Sequence, residues 1–140
     1  MILYMDTSAL VKAYIAEDSS AKVMLAIQHA DIIATHLIAY IEAHSAFSRL
    51  KREKKINDTE FDTIKTTFVR DWENYFQIEN SKNLMQHAVD FSEAFGLRAY
   101  DSVHLAAAVL LARQSKQSVT FACFDQQLNK AAKVLGLDPF

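Results

Sequence analysis

Short apolar runs, most of them followed at once by helix-capping residues, constrain this chain more than any other feature. Ile2-Leu3-Tyr4-Met5 is followed by Asp6-Thr7-Ser8, and Ile32-Ile33-Ala34 leads toward a helical pattern near His36 or Leu37. Tyr75 to Ile78 precedes Asn80-Ser81, and Val119 to Phe124 precedes Asp125. Such runs are too short for helices and have the length and apolarity of strands buried on both faces. The segments between them carry helical spacing. Leu10, Val11 and Tyr14 share a face of a helix expected to reach about Ala16. Asp18-Ser19-Ser20 is expected to cap a second helix, with Val23, Met24 and Ile27 inward. Tyr40, Ala43, Phe47 and Leu50 draw one stripe, and Phe61, Ile64, Phe68 and Trp72 draw another after Asn57-Asp58-Thr59. Leu84, Ala88, Phe91 and Phe95 form the next, ended by Gly96. Val103, Ala107 and Leu110 then mark a helix from Tyr100 to about Ser115, and Leu128, Ala131, Ala132 and Leu135 mark the last, ended by Gly136. Strands alternating with helices imply βαβ units and an α/β fold, with helices on both faces of a parallel sheet.

Composition narrows the chemistry. The 140 residues suffice for one domain spanning 1–140, with a real core. Two glycines exclude a Gly-rich phosphate cradle, and one cysteine excludes an internal disulfide or a multi-cysteine zinc site. The formal charge of −2 argues against nucleic-acid binding by bulk positive charge. Any such contact must be local, or carried by metal ions. There is no secretory leader pattern at MILYMDTSAL, and no uncharged stretch approaches the roughly 20 residues of a membrane span. A reducing cytoplasmic setting, away from membranes, is therefore expected.

Open parallel sheets bind ligands outside the carboxyl ends of their strands, near the point where strand order reverses. Asp6 and Asp125 each follow a predicted strand. Glu42 and Asp101 lie in otherwise apolar helical surroundings, Leu37–Ala43 and Ala99–Ala106. Asp6 and Asp125 also suit helix N-caps, and Asp101 suits a first helical turn, where the dipole favours acids. Glu42 has no such role, and a carboxylate among apolar residues needs a partner or a metal. An all-oxygen acidic set is what hard cations such as Mg²⁺ and Mn²⁺ prefer. That set suits phosphodiester cleavage in which a metal-activated water attacks phosphorus. Clustered without metal, the four acids repel, so at least one pKa is expected to rise.

Asp6-Thr7-Ser8-Ala9-Leu10, Glu42-Ala43, Asp101-Ser102-Val103-His104-Leu105-Ala106 and Phe124-Asp125-x-x-Leu128-x-x-Ala131-Ala132 resemble, in order and spacing, the PIN domain. The nearest likeness is to VapC-type toxins of toxin–antitoxin pairs. The resemblance covers essentially the whole chain. It implies a three-layer α/β/α fold with a short central parallel sheet of four to five strands. It implies an Mg²⁺- or Mn²⁺-dependent endoribonuclease acting on RNA, and a homodimer inhibited by a small antitoxin protein. Carried over position by position, it makes Asp6, Glu42, Asp101 and Asp125 the catalytic and metal-binding acids. Ser8 falls on the hydroxyl position beside the first acid, where it would orient a carboxylate or water, with Thr7 next to it. The chain stops at Leu137-Asp138-Pro139-Phe140, so the family's final edge strand would be very short or absent.

Other residues carry two readings. His104, one turn after Asp101, fits a general base or a group orienting the acids, but reads better as a hydrogen-bonded structural histidine. His36 and His44 lack zinc-site spacing. Cys123 reads as a small buried hydrophobe. Ser8 and Ser102 lack the sharp strand–helix turn of a nucleophilic serine. Lys51, Arg52, Lys54 and Lys55, in the run from Arg49, suit either an RNA backbone contact or a solvated helix end. Phe61, Phe68, Trp72 and Tyr75 suit core or dimer packing. Two other classes compete with the nuclease: a non-catalytic RNA- or protein-binding module of the same fold, and an aspartate-based phosphatase. The second wants another Asp two residues after Asp6, where this chain has Ser8.

Overall fold

The computed structural model describes residues 1–140. Its elements are β1 (Ile2–Met5), α1 (Thr7–Lys12), α2 (Ser20–His29), β2 (Ile32–His36), α3 (Ile38–Arg52) and α4 (Asp58–Trp72). They continue with β3 (Phe76–Ile78), α5 (Lys82–Phe95), α6 (Ala99–Ser115), β4 (Val119–Ala122), α7 (Gln126–Val134) and β5 (Asp138–Pro139). The five strands form one sheet in the order β3-β2-β1-β4-β5, and every pairing is parallel. β1 is central, with Ile2 opposite both Ile32 and Val119. The chain builds outward from β1 in one direction through β2 and β3, then in the other through β4 and β5. The gap between the carboxyl ends of β1 and β4 is therefore the switch point. The expected final edge strand exists, and it is two residues long.

The pleat of β1 divides the core. Ile2 and Tyr4 point toward α5, α6 and α7, where they join Leu84, Phe91, Leu105, Phe121 and Leu128. Leu3 and Met5 point toward α1 to α4, where they join Leu10, Val23, Phe47, Phe68 and Trp72. All four residues of β1 are buried, as an apolar strand between two helical layers must be.

Several local expectations hold for the expected physical reason. Asn57 and Glu60 make a reciprocal capping box at α4, and Ser81 caps α5. Gly96 ends α5 with φ +64°, and a Cβ there would meet Gln127 Nε2 at 3.3 Å. Other boundaries differ. α1 ends at Lys12 rather than about Ala16, and β4 ends at Ala122 rather than Phe124. Ser19 stands at the N-cap of α2 in the left-handed region without a side-chain cap. Ser20 Oγ instead accepts from Glu17 N and donates to Ile15 O. α6 was expected to bury one stripe. It is buried without interruption from Ser102 to Val109, because it is wedged between the sheet, α5 and α7. Tyr40 is more exposed than its stripe implied, and the buried face of α3 is Ala39, Ala43 and Phe47.

No single helix is long and apolar enough to cross a membrane. Phe68 centres an aromatic cluster that clamps α4 onto α3, with the rings of Tyr14, Tyr40, His44, Phe47 and Trp72 at centroid distances of 5.2 to 5.7 Å. Phe68 is fully buried, so Phe68→Ala leaves a cavity between the two helices. The expected loss is about 3–5 kcal/mol in urea-denaturation stability. A loss below about 1 kcal/mol would show that the cluster does not brace α3.

Candidate active site at the sheet switch point

At the switch point Asp6 and Asp125 are each anchored as the cap of a helix. The Asp6 backbone N–H continues the β1–β4 ladder by donating to Ala122 O at 3.1 Å, and the Asp6 side chain caps α1. Asp6 Oδ1 accepts from Ala9 N at 2.9 Å and from Ser8 Oγ at 2.7 Å. Asp125 caps α7 by accepting from Leu128 N at 2.8 Å. The N-cap readings of both residues are thus correct, and capping aims their carboxylates at the strand ends. Asp101 occupies the first turn of α6 and pairs with the exposed Arg98, whose Nε is 3.1 Å away. Thr35 Oγ1 donates to Met5 O at 2.8 Å and pins the end of β2 to the end of β1.

Glu42 finds its partners across the fold. Glu42 Oε1 accepts from Thr7 Oγ1 at 2.7 Å and stands 3.0 Å from His104 Nε2. Thr7 Oγ1 lies 3.2 Å from the same nitrogen. On the other side of the ring, His104 Nδ1 is 2.8 Å from the hydroxyl of Tyr4. Tyr4 and His104 are both buried. His104 is thus a buried, hydrogen-bonded histidine, as its structural reading holds, and its ring touches an acid.

The electrostatics fit a crowded anionic site. Burial raises the pKa of Asp6, and the nearby charge of Asp101 adds to that. His104, Ser8 and the Ala9 N–H pull the other way without cancelling it. One carboxyl is thus raised, as expected, but desolvation is the main cause and repulsion a lesser one. Burial also opposes the Glu42 charge, yet the hydrogen bonds from His104 and Thr7 hold its carboxyl below the usual range. Burial, and after it the Asp6 charge, pushes Tyr4 well above its ordinary value, so it remains a hydroxyl. Cys123 is pushed up to about 12 by burial, with Asp6, Asp125 and Asp101 adding to the shift, which keeps it an inert thiol.

No three His, Cys, Asp or Glu side chains converge on one point that could hold a metal ion. Glu42 Oε1 is held by Thr7 and His104, and Asp101 is turned to Arg98. The donor chemistry nevertheless fits a hard divalent cation, since the candidate ligands Asp6, Glu42, Asp101 and Asp125 are all carboxylates. The Arg98 side chain is 82% exposed, so that pair is weak and can open.

The remaining candidates separate cleanly. Lys51, Arg52, Lys54 and Lys55 line a concavity of about 960 Å³ at the α3–α4 turn, which none of the four acids lines. There Lys51 pairs with Asp58 and Lys55 with Glu53. A cleft of about 710 Å³ opens at Glu42 instead, lined among others by Ser8, Lys12, Arg49 and Tyr100. Ser102 Oγ donates to Arg98 O, which leaves no free nucleophile there. His36 Nδ1 accepts from Ile38 N, and His44 sits in the aromatic cluster. Tyr4 was missed by sequence reasoning. Its one signal was a hydroxyl-bearing side chain in a run otherwise wholly apolar.

No protein-family model matches the chain. It is 27% identical over 139 residues to Ribonuclease VapC45 of Mycobacterium tuberculosis (strain CDC 1551 / Oshkosh), covering 96% of this chain and 92% of that protein. Among solved structures it matches a toxin–antitoxin complex from Klebsiella pneumoniae with TM-score 0.57 and 14% identity, over 84% of this chain and 83% of that one. It matches Mycobacterium tuberculosis VapC20, described as a sarcin–ricin loop cleaving toxin, with TM-score 0.65 and 12% identity, over 92% and 94%. At these identities the structural matches show a common fold.

The raised pKa of Asp6 has a definite sign in stability. An acid whose folded pKa exceeds its unfolded one favours the fold when protonated and costs stability once ionised. Asp6→Asn keeps an oxygen acceptor for Ser8 and Ala9 and removes the buried charge. In EDTA at pH 7 its melting temperature is expected to exceed that of the parent, by about 4 °C for each kcal/mol gained. The gap should close as the pH falls below about 4, where Asp is protonated in both states. Thermal melts followed by circular dichroism across pH 3–8 check this, and an Asn variant no more stable at pH 7 would contradict it.

Proposed function

We infer that this chain, a PIN-domain protein of the VapC type, is an endoribonuclease and the toxin member of a toxin–antitoxin pair. The observation that carries the reading is the placement of Asp6 as the cap of α1 directly after β1, of Asp125 as the cap of α7 after β4, and of Asp101 in the first turn of α6, around the switch point of the sheet. The whole-length likeness to a VapC ribonuclease supports it.

Asp6, Asp101, Asp125 and Glu42 are the residues that would hold Mg²⁺ or Mn²⁺. When bound, such a cation stabilises charge on a scissile phosphate and acidifies water. Everything else is done by this chain's own groups. Ser8 and the Ala9 N–H fix Asp6 Oδ1, so the carboxylate is oriented before substrate arrives. Thr7 and His104 fix Glu42 Oε1 and leave Oε2 as its free oxygen. The low pKa of Glu42 keeps it ionised as an acceptor. Capping holds Asp125 at the end of β4. In the cleft, Arg49 lies seven residues after Glu42 on α3, roughly 10 Å along the helix axis. With Lys12 on α1 it supplies positive charge for RNA phosphates flanking the site, a better placement than the run from Lys51 to Lys55. Tyr100, 60% exposed at the same cleft, offers a ring for an unpaired base.

The partner is a small antitoxin protein that blocks the same cleft, a reading supported by the likeness to the Klebsiella pneumoniae toxin–antitoxin complex. The working form is a homodimer in the cytoplasm, and the chain acts without a membrane.

Incubation of purified protein with RNA should give cleavage with Mg²⁺ or Mn²⁺ and none with EDTA. Asp6→Asn and Asp101→Asn should each lower the rate by at least about 100-fold, the scale of losing a central electrostatic group. Full metal-dependent cleavage by either variant would remove these residues from the site. Binding of RNA and Mn²⁺ with no cleavage would favour the non-catalytic module. Arg49→Ala should raise KM with little change in kcat, the signature of a contact equal in ground and transition states. An unchanged KM would move the RNA path elsewhere.

A further inference from the structure

The bonding around His104 specifies more than burial. Glu42 Oε1 accepts from Thr7 Oγ1, and both oxygens lie within reach of His104 Nε2, at 3.0 and 3.2 Å. An ionised carboxylate has no hydrogen to give, and the Thr7 hydroxyl directs its own hydrogen to Glu42. Nε2 must therefore carry the hydrogen and donate, since a lone pair there would oppose the lone pairs of Oε1 at 3.0 Å. In the neutral imidazole Nδ1 is then the acceptor. The group beside it at 2.8 Å is the Tyr4 hydroxyl, which is wholly buried on the central strand and can donate. The two rings pack edge to face, with centroids 5.9 Å apart, so the hydroxyl meets the ring edge. The order is Tyr4 O–H to Nδ1, then Nε2–H to Glu42, with Thr7 closing the far side.

We propose that Tyr4 is a positioning residue for Glu42: by donating to His104 Nδ1 it selects the Nε2–H tautomer, which holds Oε1 of Glu42 against the protein and leaves Oε2 as the single oxygen offered to the site. Neither Tyr4 nor His104 touches substrate in this arrangement. Both act through Glu42. A second-layer partner that fixes the tautomer and ring orientation of an imidazole is a common way to set the geometry of a site. Here the imidazole in turn fixes a carboxylate.

The consequence for activity rests on the ribonuclease reading, and the tautomer does not. The two are therefore measured separately. Nitrogen-15 spectra of the whole protein in EDTA at pH 7.5 should show His104 with Nε2 protonated and Nδ1 unprotonated. A hydrogen on Nδ1 would overturn the proposal whether or not the protein cleaves RNA. Tyr4→Phe removes only the hydroxyl, so the strand and its packing are kept. It should broaden or shift the Nε2–H signal, and weaken Mn²⁺ binding in calorimetry with MnCl₂ alone by about 10-fold or more. RNA cleavage should fall in kcat by a similar factor with KM little changed. In a Glu42→Gln background Tyr4→Phe should add nothing further to the Mn²⁺ or kcat losses, because the two residues act as a unit. Independent, additive losses would assign Tyr4 a packing role and overturn the proposal, as would parental Mn²⁺ affinity in Tyr4→Phe. His104→Gln, whose amide can still donate to Glu42, should retain more Mn²⁺ affinity than His104→Ala. Equal losses in these two variants would also count against it.

Discussion

A carboxylate almost wholly removed from water at the end of the central strand is the constraint around which the rest of this structure is arranged. Desolvating the Asp6 charge is costly, and the fold offsets that cost only in part, with a serine hydroxyl, one backbone N–H and the proximity of His104. It then places a second acid, Asp101, where its charge adds to the cost. The strain is local, since β1 is held on both sides by parallel ladders and cannot shift to expose its end. Perturbed carboxylates of this kind concentrate at working sites.

The two faces of β1 serve this site differently. On one face the aromatic cluster around Phe68 clamps α4 to α3 and so fixes the helix that carries Glu42. On the other face Tyr4 reaches His104 on α6, the most deeply buried helix, and through it the same Glu42. Glu42 is thus held from both layers at once. Thr7, the first residue of α1, adds a third attachment. A side chain with 25% of its surface exposed is therefore positioned by groups that are themselves buried. Such packing keeps the geometry of a site within narrow limits before any ligand binds.

Electropositive surface is distributed less obviously than the charge run suggests. Residues 51 to 55 hold four cations, yet Lys51 and Lys55 are engaged by neighbouring acids, and the concavity they line stands apart from the four acids. Arg49, two residues earlier, falls on the face of α3 shared with Glu42 because seven residues make nearly two full turns. Helical phase, rather than the number of charges, decides which cation can serve the cleft.

Local chemistry was legible in the chain and long-range partnership was not. Apolar runs of strand length, the caps Asp6, Asn57, Ser81 and Asp125, and the stop at Gly96 are set by interactions spanning a few residues, so the sequence by itself determined the elements and placed Asp6 and Asp125 after strands. It also singled out Glu42 as an acid lacking a local partner. It could not supply that partner, because Thr7 and His104 lie 35 and 62 residues away and meet Glu42 only when α1, α3 and α6 pack around β1. The same holds for Tyr4, 100 residues from the ring nitrogen it faces, and for α6, whose burial on every side depends on what covers it. Only the tertiary structure decided these points, because hydrogen-bond partners and burial are properties of separation in space, which the parallel crossovers set and the linear order does not.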